Sequence, residues 1–68
     1  MYTQWLYEAI DMHITVELKK GTRINGTLRG IDRRENIHLE TDKSSVIISS
    51  TAISLLILPK EIRLIMGH

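Results

Sequence analysis

Sixty-eight residues, 43% apolar and 25% charged with one proline, describe one globular domain and exclude a disordered tail or a membrane segment. Nine Lys and Arg against eight Asp and Glu leave a formal net charge of +1, so only local clustering of charge can argue for an anionic partner. The absence of cysteine excludes a disulfide framework and fits a reducing intracellular compartment, nucleus or cytoplasm, as does an N-terminus without the basic-then-apolar pattern of a secretory signal.

Taken in chain order, the first element predicted is a short amphipathic helix over about residues 3–11. Leu6, Ala9 and Ile10 fall on one side at i, i+3, i+4 spacing, Trp5 and Tyr7 are assigned to packing, and Thr3 stands as N-cap. From Ile14 the period changes to two: Ile14, Val16 and Leu18 alternate with Thr15, Glu17 and Lys19, as in a half-buried strand, and Lys20-Gly21 supplies a turn. Residues 22–31 keep Ile24 and Leu28 in phase but include Gly26 and Gly30, which permit sharp bending or close backbone approach, so one long, curved strand is expected. A charged connector over 32–35 leads into a third strand carrying Ile37 and Leu39, closed by the polar turn 42–44.

Residues 46–49 and 53–58 read as strands four and five. In the fifth, strict alternation puts Ile53, Leu55 and Ile57 on one face and Leu56 and Leu58 on the other, so both faces are apolar. A domain of this length gains roughly 3–5 kcal/mol from its single core, and no His, Asp and Glu cluster has the spacing of a structural zinc site. Self-assembly is the remaining support. Val46, Ile48, Ile53, Leu55, Leu56, Ile57 and Leu58 are therefore assigned to a subunit boundary at which an edge strand is paired with a neighbour. Pro59 stops the ladder, and Ile62, Leu64, Ile65 and Met66 form an apolar tail, either a partial helical turn or an extended docking segment.

Two blocks of residues carry a family likeness. Leu18, Lys19 and Gly21 are followed by Ile24, Gly26 and Leu28, then by Asp32, Asn36, Ile37 and Leu39; about ten positions agree in type and spacing at once. The chain resembles the Sm and Sm-like family along essentially its whole length, the first Sm motif covering about 14–40 and the second about 46–59. The ending Ile57, Leu58, Pro59 and the run Asn36 to Leu39 are most similar to the D class of spliceosomal Sm proteins, with bacterial Hfq and archaeal Sm-like proteins as more distant fits. The second motif keeps its frame, but Ser49 and Ser50 stand where the family has Arg-Gly, and the Arg-Gly-rich tail of many D-class members is not present before His68.

The resemblance implies a mainly β fold: a short N-terminal helix followed by a strongly bent, five-stranded antiparallel barrel, the whole chain forming one Sm-like domain. It implies a ring of Sm or Sm-like protomers, mixed or identical, around uridine-rich single-stranded RNA, with no membrane or small-molecule substrate. The expected setting is the spliceosomal ribonucleoprotein core in pre-mRNA splicing. In that frame Asn36 holds a base through its carboxamide, which offers both a donor and an acceptor. Asp32 orients Asn36, or serves as a turn-forming aspartate with equal weight. Arg34 stacks on the base, Arg33 joins a basic neighbourhood, and Ser49 and Ser50 offer hydroxyls in place of the missing arginine. Glu35, where the family has methionine, weakens phosphate attraction. Arg29 sits near Arg33 in sequence, but exposed charges such as Arg29, Lys19 and Lys20 are more often plain solvation than ligand contacts, and Thr51, a further possible contact, more often does only turn chemistry.

No cofactor or catalysis is expected. His13, His38 and His68 lie too irregularly for a metal triad, and no nucleophile–base arrangement stands out. The alternative from a different class is an assembly or adaptor protein that docks through its edge strands without touching RNA, as Gemin-type Sm-like proteins do; Ser49, Ser50 and Glu35 favour it.

Overall fold

Residues 3–66 are described by a computed structural model, and within them every side chain except those of Thr3 and Trp5. The expected cap at Thr3, the packing of Trp5 and His68 therefore lie outside the described residues.

The helix predicted over 3–11 is shorter. α1 runs Thr3–Glu8, and the chain then tightens, with the Ala9 N–H donating to Leu6 O and the Met12 N–H to Ala9 O, both at 3.0 Å. Asp11, with φ +73°, turns the backbone out of helical geometry. Leu6 and Ala9 are nonetheless buried, so the apolar stripe faces the core as its spacing requires.

Six strands follow: β1 His13–Leu18, β2 Arg23–Ile31, β3 Ile37–Glu40, β4 Ser45–Ile48, β5 Ile53–Leu58 and β6 Ile62–Ile65. A one-turn 3-10 helix over Ser50–Ala52 separates β4 from β5, and a tight turn over Pro59–Glu61, with Lys60 and Glu61 at positive φ, separates β5 from β6. The strands make one antiparallel sheet in the order β4-β3-β2-β1-β5-β6. The mainly β architecture with its short leading helix is as the sequence predicts, and the five expected strands are all present. The tail adds the sixth.

Curvature comes from two irregularities and one glycine. On β2, Leu28 pairs with Leu39 but Gly30 pairs with His38, which leaves Arg29 as an extra residue. This bulge moves the core-facing phase from even to odd positions, so Leu28 and Ile31 both turn toward the same core. Gly26 lies against β3 so closely that a Cβ there would sit 2.6 Å from the Glu40 carbonyl oxygen and 2.8 Å from Leu39 Cγ. Only glycine fits this crossing. Gly30 differs from the expectation of close approach, since a Cβ there would meet its nearest atom, in His38, at 3.7 Å.

The second irregularity corrects the reading of β5. Glu17 pairs with Leu55 but Leu18 with Ile53, so Ser54 is the extra residue. The resulting change of phase brings Ile53 onto the same side as Leu56 and Leu58, and all three are buried in the chain's own core. Leu55 and Ile57 are half-buried. β5 is also not an edge strand: β1 pairs with one side of it and β6 with the other. Of the two strands assigned to a boundary, only β4 borders open space in the sheet, and its Ile48 is itself buried. Alternation alone, without the bulge and the tail, misplaces the second apolar face.

β6 is held by one buried face and by its ladder with β5. Leu64 and Met66 are buried, and the Met66 N–H donates to Ser54 O at 2.9 Å. Full burial of each such side chain contributes about 1.5–3 kcal/mol, a substantial part of what a domain of this size gains in total.

Candidate nucleic-acid interface

The β2–β3 connector is built by its own residues. The Asp32 N–H donates to Asn36 O at 3.2 Å and the Glu35 N–H to Asp32 O at 2.9 Å, while Glu35 takes φ +63°. A three-residue loop ending in a left-handed residue is a common way to close an antiparallel pair. Asp32 locks it further. Its Oδ1 accepts from the Arg34 N–H at 2.8 Å and from the Asn36 N–H at 2.9 Å, and its Oδ2 accepts from Asn36 Nδ2 at 2.9 Å. The two readings of Asp32 are thus both realised by one carboxylate: it forms the turn and it orients the asparagine.

Asn36 is fixed from a second direction. Its Oδ1 accepts the backbone N–H of Ser50 at 2.9 Å, across from the end of β4, where Ile37 and Ile48 are paired. A carboxamide has two N–H groups and two acceptor lone pairs. One of each is used here, on Asp32 and on Ser50, so one donor and one acceptor remain in a fixed orientation for an incoming polar edge.

The serine pair acts differently from the hydroxyl role expected of it. Ser50 is buried, 8% exposed, and contributes its backbone N–H to the site. Ser49 caps the following 3-10 turn: its Oγ lies 3.4 Å from the Thr51 N and 2.9 Å from Thr51 Oγ1. Thr51 accordingly does turn chemistry. The contribution of the Ser50 N–H is the functional feature that the sequence reading missed. The only signal available was a capping serine just after an apolar strand, which marks a helical turn but not what its first N–H groups face.

Charge around the loop is balanced. Arg33 and Arg34 are exposed at its tip, flanked in sequence by the carboxylates of Asp32 and Glu35. The Asp32 carboxyl is held below the ordinary carboxylate range, first by the backbone and side-chain N–H groups of Asn36 and further by the Arg34 N–H and the charge of His38, against a smaller upward push from partial desolvation. Arg29, weighed above as a possible basic contact, is committed elsewhere. Its Nη1 lies 2.9 Å from Asp11 Oδ1 and its Nε 2.7 Å from Glu40 Oε1, and this pair of carboxylates raises its pKa, Glu40 foremost. It ties the helix–β1 connector to the bulge in β2.

Asp32, Asn36, the backbone N–H of Ser50 and that of Arg34 therefore form one hydrogen-bonded cluster, with Arg33 next in sequence, while Ser49 bonds only within its own turn. Of the residues assigned to a subunit boundary, Ile48, Ile53, Leu56 and Leu58 are buried in the chain's own core, and Val46, Leu55 and Ile57 are half-buried. Among the described residues no group of three His, Asp or Glu side chains is placed to hold a metal ion, and no helix is long and apolar enough to cross a membrane.

Comparison with known proteins gives a consistent answer. A family model described as the LSM domain matches residues 5–64. The SmAP (LSm) protein of Methanococcus vannielii superposes with a TM-score of 0.70 at 22% identity, covering 78% of this chain and 88% of that one. The SmAP1 heptamer of P. aerophilum gives a TM-score of 0.70 at 20% identity, covering 79% of this chain and 86% of the other. No curated protein matches.

Proposed function

The chain belongs to the LSM-domain family, and from that premise we propose that it is a non-enzymatic RNA-binding scaffold protomer of a ring-shaped assembly around uridine-rich single-stranded RNA. The observation that carries the reading is the doubly anchored Asn36. Its amide is held by Asp32 on one side and Ser50 on the other, so the remaining donor and acceptor meet a base edge without first losing conformational freedom. Arg34 lies two residues away at the exposed tip, where a guanidinium plane stacks on a base and offsets phosphate charge. The balance of Asp32 and Glu35 against Arg33 and Arg34 makes each single site weak, so affinity comes from repeating the site around a ring. The heptamer reported for the P. aerophilum SmAP1 protein supports that arrangement.

The finer reading is a mixed ring in the spliceosomal ribonucleoprotein core, acting in pre-mRNA splicing in nucleus and cytoplasm. It rests on the likeness of Ile57, Leu58 and Pro59 and of Asn36 to Leu39 to the D class.

The test is a titration of labelled oligouridine against the assembled protein, beside Asn36→Ala and Arg34→Ala. Removing a stacking partner costs about 1–3 kcal/mol per base, so each variant is expected to bind at least several-fold more weakly per site. Equal affinity in both variants would remove the assigned base site. A second reading, an adaptor that assembles without RNA, is favoured by the local use of the Ser49 hydroxyl in its own turn. It predicts a normal oligomer that does not bind oligouridine at all.

A further inference from the structure

Within β2, the stretch 23–26 has a strand partner on one side only. It pairs with β1, whereas pairing with β3 starts at Thr27. The stretch ends in an asparagine followed by a glycine. A Cβ at Gly26 would overlap the Glu40 carbonyl oxygen at 2.6 Å, so the fold admits no other residue there. Asn25 is exposed, and its carboxamide is tethered through Oδ1, which accepts the Thr15 hydroxyl at 2.7 Å. A glycine nitrogen next in the chain to a carboxamide has no side chain to shield it, and it reaches Cγ by closing a five-membered ring.

The ladder holds that nitrogen away. The Leu18 N–H donates to Thr22 O at 2.8 Å at one end of the β1–β2 register, and the Leu28 N–H donates to Met12 O at 2.9 Å just beyond the other. Bonded pairs in an antiparallel ladder recur at every second residue, so Ile14 and Gly26 form one of them and the Gly26 N–H points at Ile14 O.

We propose that Asn25 is a deamidation site closed by the β1–β2 ladder, and that its isoaspartyl product is excluded from this fold. When the ladder opens, hydroxide removes the Gly26 amide proton, the nitrogen bonds to Asn25 Cγ, and the side-chain nitrogen leaves as ammonia. The product is a cyclic imide, which water opens on one of two sides. Attack at Cγ gives aspartate on the original backbone. Attack at the backbone carbonyl carbon gives isoaspartate, whose main chain runs through Cβ and Cγ and is one carbon longer. Aspartate still accepts the Thr15 hydroxyl and is tolerated. Isoaspartate displaces Gly26 along β2, out of the crossing that only a glycine fits and out of register with Ile14. The inference is independent of the ring and RNA readings, since it needs only the folded chain.

The experiment incubates the full chain in mildly alkaline buffer, folded and in urea, beside Asn25→Asp. Peptide mass spectrometry reads conversion of amide to acid, and labelling by an isoaspartyl methyltransferase, mapped to residue 25, separates isoaspartate from aspartate. In urea Asn25 is expected to convert faster than Asn36, the only other asparagine, which is followed by the β-branched Ile37. The folded chain is expected to convert at least about tenfold more slowly, because the ladder must open first. After return to native buffer and size exclusion, the label is expected in chains that do not regain the compact state, whereas Asn25→Asp folds like the parent. Conversion in urea no faster at Asn25 than at Asn36 would overturn the site. Equal rates folded and unfolded would overturn its closure by the ladder. Labelled chains that refold, or an Asn25→Asp chain that does not, would overturn the exclusion of isoaspartate by backbone length.

Discussion

Asp32 holds the candidate site together through three hydrogen bonds to one ionised side chain. Its folded-state pKa lies below the unfolded value of about 3.9. The stabilisation it gives is therefore fully present above that unfolded value and is lost as the pH falls through the folded one. Chemical denaturation of the parent and of Asp32→Asn across the acid range is expected to show a gap in stability at neutral pH that closes below about pH 4; a constant gap would contradict the assignment. The two glycines of β2 give a sharper contrast. At Gly26 a Cβ would overlap backbone at 2.6 Å, which no rotamer relieves, so Gly26→Ala is expected to cost about 1–3 kcal/mol or more. Gly30→Ala meets nothing closer than 3.7 Å and is expected to be neutral or stabilising by up to about 1 kcal/mol through the unfolded chain. Urea midpoints of the two variants check both directions.

Among the elements, the β5–β6 hairpin carries the most backbone strain. Lys60 and Glu61 have φ of +67° and +64° in succession, positions that favour Asn and Gly because a Cβ crowds the neighbouring carbonyl. Replacing both, Lys60→Asn with Glu61→Gly, is expected to stabilise by about 1 kcal/mol or more, raising Tm by about 4–8 °C per kcal/mol for a domain of this size. The same change is expected to slow amide exchange along β6. Thermal scans at one protein concentration decide the first point; a lowered Tm would mean that the side chains of Lys60 and Glu61 contribute more than their backbone costs. The bulges at Arg29 and Ser54 act in the opposite sense. They disrupt pairing locally, and in return they turn Ile31 and Ile53 into the core.

For the whole molecule, the decisive quantity is how little core 68 residues supply. Leu56 is fully buried, and large-to-small changes at such sites cost about 2–5 kcal/mol, comparable with the entire net stability of a domain this small. Substituting Leu56 or Leu58 therefore reports on the core and not on assembly, contrary to what their place in an apolar strand suggests. Subunit association adds stability by mass action. Tm of the parent chain is accordingly expected to rise with protein concentration. A parent Tm that stays constant over a hundredfold dilution would show that assembly contributes nothing to the fold.

The sequence by itself determined the mainly β class and the position of each of the first five strands within a residue or two, and its likeness to the Sm family singled out Asp32, Arg34 and Asn36. The strands depend on local rules, a period of two and turn chemistry. Tertiary structure decided the rest. Whether Ile53 faces the core depends on an extra residue at Ser54, and a bulge is a property of two paired strands, not of either alone. That Ser50 completes the hold on Asn36 depends on β3 and β4 bringing residues 14 apart to hydrogen-bond distance. The tail was legible as apolar but not as β6, because what makes Ile62 to Ile65 a strand is the open side of β5 onto which it folds.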